Sequence, residues 1–478
     1  MDKKVLLCIP NSRWFGKRPW NSLPYAAVIL TSLLKKDFDF QVLDINAENL
    51  DFEQTKNRIQ QINPVIVLVT GISVEYHKQS HKTLSLAKSA CPNSITVLGG
   101  VYPTTLPEEC VKDKNIDWLF MYHAEGRINH FINLLLDDNV VEAKIFPGIA
   151  YRNNGNECIE NPPSHFIGEV KTIANPDYSL VDLTPYLKQD SLDYQFNSDK
   201  PTAYIISSYG CPYNCLFCAS RTISGRKVMF RPVQDILDEI DYLVSQYHVS
   251  NLIFLDDCIL ADRKRINNIL NGLIDREYDL SWKVASLSAW HLDDELIELM
   301  KKAGCTQFTI SVESGSQKVL SDIIRKPLKL EIIPGIIKKC RAVGIDLGAN
   351  FVIGIPGETW EDIRRTFKFA EECDFDVAHF HIATPLPKTD LYRLCQEKGY
   401  LPENFNFLDD KFFGYMHGWI TTEEFTPIEL SILRSFEWDR INFSTPDKIK
   451  RMTRLYKTTP DKLIEHRRQT RRKIGLHF

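Results

Sequence analysis

Ser207-Ser208-Tyr209-Gly210-Cys211-Pro212-Tyr213-Asn214-Cys215-Leu216-Phe217-Cys218 is the stretch on which the reading of this chain turns. It places three thiols at Cys-x3-Cys-x2-Cys spacing in one tight loop, directly after the apolar, β-prone Ala203–Ile206. Three thiolates on so short a loop can each bind one iron of a cubane and leave the fourth iron open. Iron–sulfur clusters are ordinarily held by four cysteines, so a missing fourth ligand implies that a small molecule coordinates there. The competing assignment is a structural zinc site, which Cys215-x2-Cys218 would begin. Zinc requires a second Cys or His pair, and none follows downstream.

Outward from that loop, a βα alternation runs toward the C-terminus. Strands are expected at Ala203–Ser208, Asn251–Leu255, Trp282–Leu287, Gln307–Val312, Leu347–Ile353 and Val377–Ile382. Helical patterns lie between them at 233–246, 263–275, 293–302, 331–343 and 361–372, with Asp293 as an N-cap and Gly304 just past a helix end. Six repeats predict a partial (β/α)6 barrel, whose reactive groups stand at the carboxyl ends of its strands. Asp256-Asp257-Cys258, Glu313-Ser314-Gly315 and Gly354-Ile355-Pro356-Gly357-Glu358-Thr359 all fall at such ends. His379 and His381 alternate on the sixth strand and therefore share a face. Asp256, Asp257, His379 and His381 are the candidate catalytic or substrate-contacting residues.

The N-terminal third has its own rhythm. Short β runs at Val5–Ile9, Gln41–Ile45, Val65–Thr70, Ile95–Leu98 and Trp118–Tyr122 alternate with helical patterns, which predicts a doubly wound, flavodoxin-like parallel sheet. Such sheets bind ligands beyond the carboxyl ends of their strands. The loops to inspect are 10–16, 71–76, 99–103 and 123–126. Asn153-Asn154-Gly155-Asn156 then signals a turn, and Pro162, Pro163, Pro176 and Pro185 punctuate a connecting segment. The expected division is 1–140 for the sheet domain, 141–200 for a linker, 201–395 for the barrel and 396–478 for a small helical domain.

The cysteine triplet, Glu313 and the Gly354–Thr359 turn together resemble the radical S-adenosylmethionine (SAM) superfamily. That resemblance implies a 4Fe–4S cluster on Cys211, Cys215 and Cys218, with SAM chelated at the open iron and cleaved by one electron to a 5′-deoxyadenosyl radical. It implies SAM contacts from Phe217, Glu313, Ser314, Gly354 and Pro356, and from Arg325 or Lys326 to the SAM carboxylate. Gly99-Gly100-Val101-Tyr102-Pro103-Thr104, with Asn21–Ala27, Val69–Ser73, Asp117 and Glu125-Gly126, is similar to the cobalamin-binding domain that precedes many radical SAM cores. Ser73, Gly99, Gly100, Tyr102, Pro103, Thr104, Glu125 and Gly126 are the implied corrinoid contacts. The paired glycines are read as letting the backbone lie flush against the macrocycle. Two departures stand out. No Asp-x-His-x-x-Gly is present to ligate cobalt, and the usual Gly-Glu-Gly-Glu reads Ala124-Glu125-Gly126-Arg127. A relic domain without corrinoid remains the alternative to functional cobalamin binding.

The resemblance implies C-methylation of an unactivated carbon in a small metabolite or natural-product intermediate. Cyclisation, ring contraction or rearrangement without methylation is the alternative, and a non-catalytic redox or ligand sensor a minor one. A small-molecule or peptide substrate and an electron donor such as flavodoxin or ferredoxin are the implied partners.

Composition is that of an ordinary globular protein: 478 residues, 44% hydrophobic, 25% charged and a net charge of −4. That balance gives no overall attraction to nucleic acid. No apolar run has the length of a membrane span or a signal core, so a cytoplasmic location is expected. The remaining cysteines, at 8, 91, 110, 158, 258, 305, 340, 373 and 395, are scattered, as small buried hydrophobes would be. Beyond residue 396, Thr422–Leu430 reads as a helix start. Phe436, Trp438 and Phe443 suggest a cap over the barrel mouth, and Arg467-Arg468 and Arg471-Arg472-Lys473 make the final stretch basic.

Overall fold

The computed structural model describes residues 4–71, 73–162, 173–188, 198–414 and 417–473. Ile72 of the expected corrinoid motif and much of the expected linker lie outside the described residues. The chain forms two compact units, 1–187 with 222–235 and 188–221 with 236–478. Among the described residues no helix is long and apolar enough to cross a membrane.

The first unit is built on a seven-stranded sheet. Its strands are β1 (Lys4–Ile9), β2 (Asp39–Asp44), β3 (Ile66–Thr70), β4 (Ile95–Gly99), β5 (Trp118–Phe120), β6 (Ile149–Arg152) and β7 (Cys158–Asn161), in the order β2-β1-β3-β4-β5-β6-β7. β1 to β5 are parallel in the flavodoxin-like 2-1-3-4-5 order. Their near-continuous apolar runs follow from burial on both faces: Val5 to Ile9 and Ile66 to Val67 are fully inaccessible. Helix Phe52–Ile62 starts at Asp51 with a complete capping box. The Asn153–Asn156 turn closes the β6–β7 hairpin, which extends the sheet antiparallel to β5. The segment read from sequence as a linker, 141–200, thus opens with the end of helix Val140–Ile145 followed by this hairpin. Residues 173–188 fold back onto the same unit, where the Tyr186 hydroxyl donates to Asp44 at 2.8 Å.

The second unit holds six parallel strands in sequential order: Thr202–Ile205, Asn251–Phe254, Ser281–Leu287, Cys305–Glu313, Asp346–Ile353 and Val377–Ile382. These are barrel strands one to six. Phe308, Ile310, Val312, Phe351 and Phe380 are buried toward the surrounding helices, and Phe380 stacks on Phe351 at 5.2 Å. By alternation, Gln307, Thr309, Ser311, Asn350, His379 and His381 line the opposite, interior face.

The first C-terminal helix starts at the carboxyl ends of strands five and six, where Leu430 stands against Gly354. Helix Pro427–Phe443 lies along the free edge of strand six. There Asn442 accepts from the Ala378 amide and donates to its carbonyl, both at 2.9 Å, and Arg434 Nε donates to the Phe380 carbonyl at 2.6 Å. These side chains satisfy backbone groups that an open sheet edge leaves unpaired. Helices Pro446–Leu455 and Pro460–Lys473 pack at the opposite, amino end. Met452, Leu455, Tyr456 and Leu463 cluster with Phe443 and with Val377, the first residue of strand six. Arg454 pairs with Asp346, the first residue of strand five, at 2.7 Å. Trp438 and Phe443 belong to this core, whereas Phe436 is exposed. Asp439 engages both Arg467 and Arg471, so part of the basic tail is neutralised within the fold.

Candidate functional site

The cysteine loop is fastened at several points. Leu216 donates its amide to the Ile324 carbonyl at 3.1 Å and accepts from the Leu391 amide at 2.9 Å, while the Gly210 amide donates to Asp257 at 3.0 Å. Asp256 does more. Its buried carboxylate accepts from the Ser207 amide at 3.1 Å and from the Ser207 and Ser208 hydroxyls at 2.6 Å. Arg265 donates to the Ser207 carbonyl at 2.6 Å. Burial pushes the Asp256 carboxyl up, against those hydrogen bonds. Both aspartates flagged as catalytic candidates are thus occupied in holding the loop, Asp256 wholly so.

Cys211 and Cys215 are half-buried and Cys218 is exposed. Burial pushes the thiol of half-buried Cys215 up, while Lys326 opposes the rise. Metal binding must therefore displace its proton. Among the described residues no three His, Cys, Asp or Glu groups converge on one ion. Thiolates that each take a different iron of a cubane need not converge, and the three-thiol donor set fits such a cluster.

Around the loop stands a polar shell. Tyr213 bridges His291 and Trp290, each at 2.7 Å. Lys326 Nζ lies 5.3 Å from the Trp290 ring centroid and 3.0 Å from Glu313. Lys326 and Glu313 are both buried, and Glu313 has a φ of 72°, a left-handed conformation costly for any residue but glycine. From the end of strand four the charge of Glu313 acts on Cys215. Arg325, offered with Lys326 as a partner for SAM, instead pairs with Asp390 at 2.6 Å, as Arg221 does at 3.2 Å. Ser314 is fully buried against Thr366 at 3.1 Å and belongs to helix packing. Gly354 has a φ of 80°, and a Cβ there would meet Leu430. Its glycine is explained by the Pro427–Phe443 helix as much as by any ligand. In the same turn Glu358 accepts from the Ile355 amide at 2.7 Å, its other oxygen has no partner, and burial lifts its pKa to about 8. Phe217 is half-buried and Pro356 buried.

In the first unit the loops after β3 and β4 cross backbone to backbone. The Gly71 amide donates to the Gly99 carbonyl at 2.6 Å, and the Tyr102 amide to the Gly71 carbonyl at 3.0 Å. A Cβ on Gly100, where φ is 106°, would lie 2.8 Å from the Gly71 oxygen. Gly100 is thus required by this crossing, and Gly71, from the Val69–Ser73 stretch, is its partner; a Cβ on Gly99 meets only ordinary contacts. Tyr102 is fully buried, with its hydroxyl 2.9 Å from His81. Thr104 is buried, donating to the Gly100 carbonyl at 2.7 Å and accepting from the Tyr122 amide at 2.8 Å. Pro103 is buried, Gly126 exposed, and Ser73 caps the following turn through the Glu75 amide. Tyr102 and Thr104 therefore build the loop rather than present hydroxyls beyond it. Arg127 is likewise structural, donating to the Met121 carbonyl at 2.7 Å and the Pro147 carbonyl at 2.8 Å.

Three polar atoms near the carboxyl ends of this sheet are buried without a protein partner: Trp20 Nε1, Thr70 Oγ1 and Glu125 Oε1. Buried polar groups are rarely left unpaired. One donor, one hydroxyl and one carboxyl fit a ligand edged with amides, as a corrinoid is. Thr70 lies within the Val69–Ser73 stretch, whereas Trp20 precedes the Asn21–Ala27 stretch and carries no sequence signal of its own.

Comparison with known proteins agrees with this geometry. Residues 205–370 match the radical SAM superfamily model and residues 21–132 the B12 binding domain model. The chain is 26% identical over 446 residues to cytidylyl-2-hydroxyethylphosphonate methyltransferase of Streptomyces wedmorensis, covering 84% of this chain and 83% of that one. It is 28% identical to the anaerobic magnesium-protoporphyrin IX monomethyl ester cyclase of Rubrivivax gelatinosus, covering 84% and 71%. The fold matches the radical SAM methyltransferase TsrM of Kitasatospora setae with a TM-score of 0.69 at 15% identity, over 96% of this chain and 99% of that one. The chain carries a B12-binding domain over residues 21–132 and, after it, a radical SAM domain over residues 205–370.

Proposed function

We propose that this protein is a cobalamin-dependent radical SAM methyltransferase that methylates an unactivated carbon of a small-molecule or peptide substrate. The observation that carries the reading is the pairing of a B12-binding domain with a radical SAM core in one chain that aligns, nearly end to end, with a phosphonate methyltransferase. Cys211, Cys215 and Cys218 would hold a 4Fe–4S cluster, and Thr70, Trp20 and Glu125 would meet the corrinoid periphery over the loop built by Ser73, Gly99, Gly100, Tyr102, Pro103, Thr104 and Gly126. Bound together, these groups supply a 5′-deoxyadenosyl radical from SAM and a methyl group from cobalamin.

The chain's own residues position and insulate. Asp256, Asp257 and Arg265 fix the loop so that three thiols are presented without reorganisation. Lys326 holds a positive charge beside Cys215 and Glu313, where the SAM amino-acid end would lie, and Phe217 and the 354–358 turn would flank its adenine. The expected domains, 1–140 for cobalamin and 201–395 for SAM, follow that assignment. A flavodoxin- or ferredoxin-type donor would supply the electron, and the cytoplasm is the fitting compartment.

A second reading is favoured by the cyclase relative, which aligns over as much of this chain: carbon-skeleton cyclisation without methylation. Product mass separates the two. Anaerobic incubation with cobalamin, SAM, reductant and candidate substrates should yield a product heavier by one CH2. A product without that gain, formed with stoichiometric 5′-deoxyadenosine, would replace methylation by the second reading.

A further inference from the structure

Beside the cysteine loop three arginines share one carboxylate. Asp390, the first residue of helix Asp390–Lys398, accepts from Arg325 at 2.6 Å and from Arg221 at 3.2 Å, and Arg393, one turn along the same helix, pairs with it as well. Burial raises the Asp390 carboxyl, but the bonds from Arg325 and Arg393 and the Arg221 charge outweigh it and hold the group below the usual carboxylate range. Three guanidiniums against one carboxylate leave a formal charge of +2. Asp322 and Glu397, the other acids of helices Val319–Ile324 and Asp390–Lys398, are exposed, and among the described residues neither pairs with these arginines. The cations face solvent: the side chains of Arg393, Arg325 and Arg221 are 55%, 39% and 29% exposed.

This cluster is bonded to the cysteine loop itself. Leu216, which follows Cys215, donates to the carbonyl of Ile324 at 3.1 Å and accepts from the amide of Leu391 at 2.9 Å. Ile324 precedes Arg325, and Leu391 follows Asp390. Arg221 also donates to the side chain of Asn214, the residue before Cys215. Arg221 stands three residues beyond exposed Cys218, so their Cα atoms are at most about 11 Å apart. The surface charge and the three thiols thus belong to one local structure.

Exposed, incompletely neutralised positive charge attracts an acidic partner and orients it on approach. The place of this charge, against the loop that presents the thiols, selects a partner that passes an electron; such encounters are small and transient and depend on steering. We propose that Arg221, Arg325 and Arg393 form the docking surface for an acidic one-electron carrier protein of the flavodoxin or ferredoxin class. The carrier is oxidised by one electron and the cluster on Cys211, Cys215 and Cys218 is reduced by one, with no bond made or broken. This rests on the proposed cluster as the electron acceptor, but docking itself is measurable without turnover. Asp390 holds the three cations together against their mutual repulsion, so the surface is formed before the carrier arrives.

The test is isothermal titration calorimetry on the full chain with a purified bacterial flavodoxin and a 2Fe–2S ferredoxin, both acidic. Basic cytochrome c and a transfer RNA are titrated alongside. Saturable binding of at least one acidic carrier, weakened several-fold between about 50 and 300 mM salt, is expected, with none of cytochrome c. Arg393→Glu should weaken that binding about tenfold, through loss of one exposed pair and a new like-charge contact. The proposal is overturned if neither acidic carrier binds saturably at the lower salt, if binding ignores salt, or if cytochrome c binds as tightly. It is equally overturned if folded Arg393→Glu protein binds the carriers like wild type, or if RNA binds through these arginines and neither carrier does. Should Arg393→Glu fail to fold, Arg393→Gln decides by the same comparison. Failure here leaves methyl transfer standing, since a chemical reductant supplies the electron without docking, and a product lacking CH2 leaves the docking surface standing.

Discussion

Asp256→Ala is the substitution that most directly tests how the cysteine loop is held. The carboxylate is 6% exposed and accepts from three donors, the Ser207 amide and the Ser207 and Ser208 hydroxyls, while Arg265 provides the adjacent positive charge. Truncation leaves those donors without their acceptor and Arg265 without its counter-charge. Hydrogen bonds to a charged group contribute about 1.5–3 kcal/mol each, but water entering the space left by the side chain recovers part of that. A net loss of about 3–5 kcal/mol follows, the range for breaking a buried ionic group on one side. Asp257→Ala removes one bond, to the Gly210 amide, at an exposed site, and should cost about 1 kcal/mol. Urea unfolding under anaerobic conditions measures the stability difference, and iron content after reconstitution measures the loop. Asp256→Ala should lower the barrel's midpoint and its iron together, with SAM cleavage falling in proportion to iron. If that variant unfolds within 1 kcal/mol of wild type and loads iron fully, the loop is held by something else. If instead it loads iron fully but loses turnover, the carboxylate has the catalytic part that its hydrogen bonds argue against.

Replacing Cys211, Cys215 and Cys218 together by Ala should abolish both iron incorporation and SAM cleavage; full iron content in the triple variant would refute the cluster assignment. Lys326→Gln leaves Glu313 buried without its cation, so SAM binding measured by equilibrium dialysis should weaken about tenfold or more at unchanged iron content. Gly100→Ala should destabilise the first unit with or without corrinoid, because its Cβ would press on the Gly71 carbonyl. Thr70→Val should weaken corrinoid retention on gel filtration while leaving thermal stability intact, since Thr70 Oγ1 has no protein partner to lose. Glu358 titrates near 8 in the folded state against 4.5 in its unperturbed state. The folded protein therefore holds that proton more tightly, and stability falls as pH rises from about 4.5 through 8. Glu358→Gln should flatten that fall in a melting-temperature series from pH 6 to 9, and an unchanged slope would remove Glu358 as its cause.

The fold was legible because both sheets are parallel and buried on both faces. Such strands read as short, uninterrupted apolar runs between amphipathic helices, and outside the barrel interior the runs at 5–9 and 65–70 carry no polar residue before the terminal Thr70. What the C-terminal helices pack against was not legible, for an equally physical reason. Phe436, Trp438 and Phe443 announce a buried face without naming what buries it, and helix Pro427–Phe443 lies beside strand six through Asn442 and Arg434, two polar residues that no periodicity highlights. What the helix needed was the free edge of the last strand, and an edge is a property of topology, not of composition.

The site divides along the same line. Cys211, Cys215, Cys218 and Glu313 are proposed from residue type and local spacing, and the charges of Glu313 and Lys326 act on Cys215 in the folded chain. Asp256, Ser314, Arg325, Tyr102 and Thr104 share motifs with them, yet each is consumed by a partner distant in sequence: Ser207, Thr366, Asp390, His81 and the Tyr122 amide. A motif therefore mixes residues that meet a ligand with residues that hold the motif's own backbone, and sequence spacing is blind to the difference. Unspent hydrogen-bonding capacity distinguishes them. Trp20, Thr70, Glu125 and Glu358 each keep a buried polar atom without a partner. At Trp20, Thr70 and Glu125 a corrinoid would complete that bonding, and of the four only Trp20 lies outside the motifs quoted from the sequence.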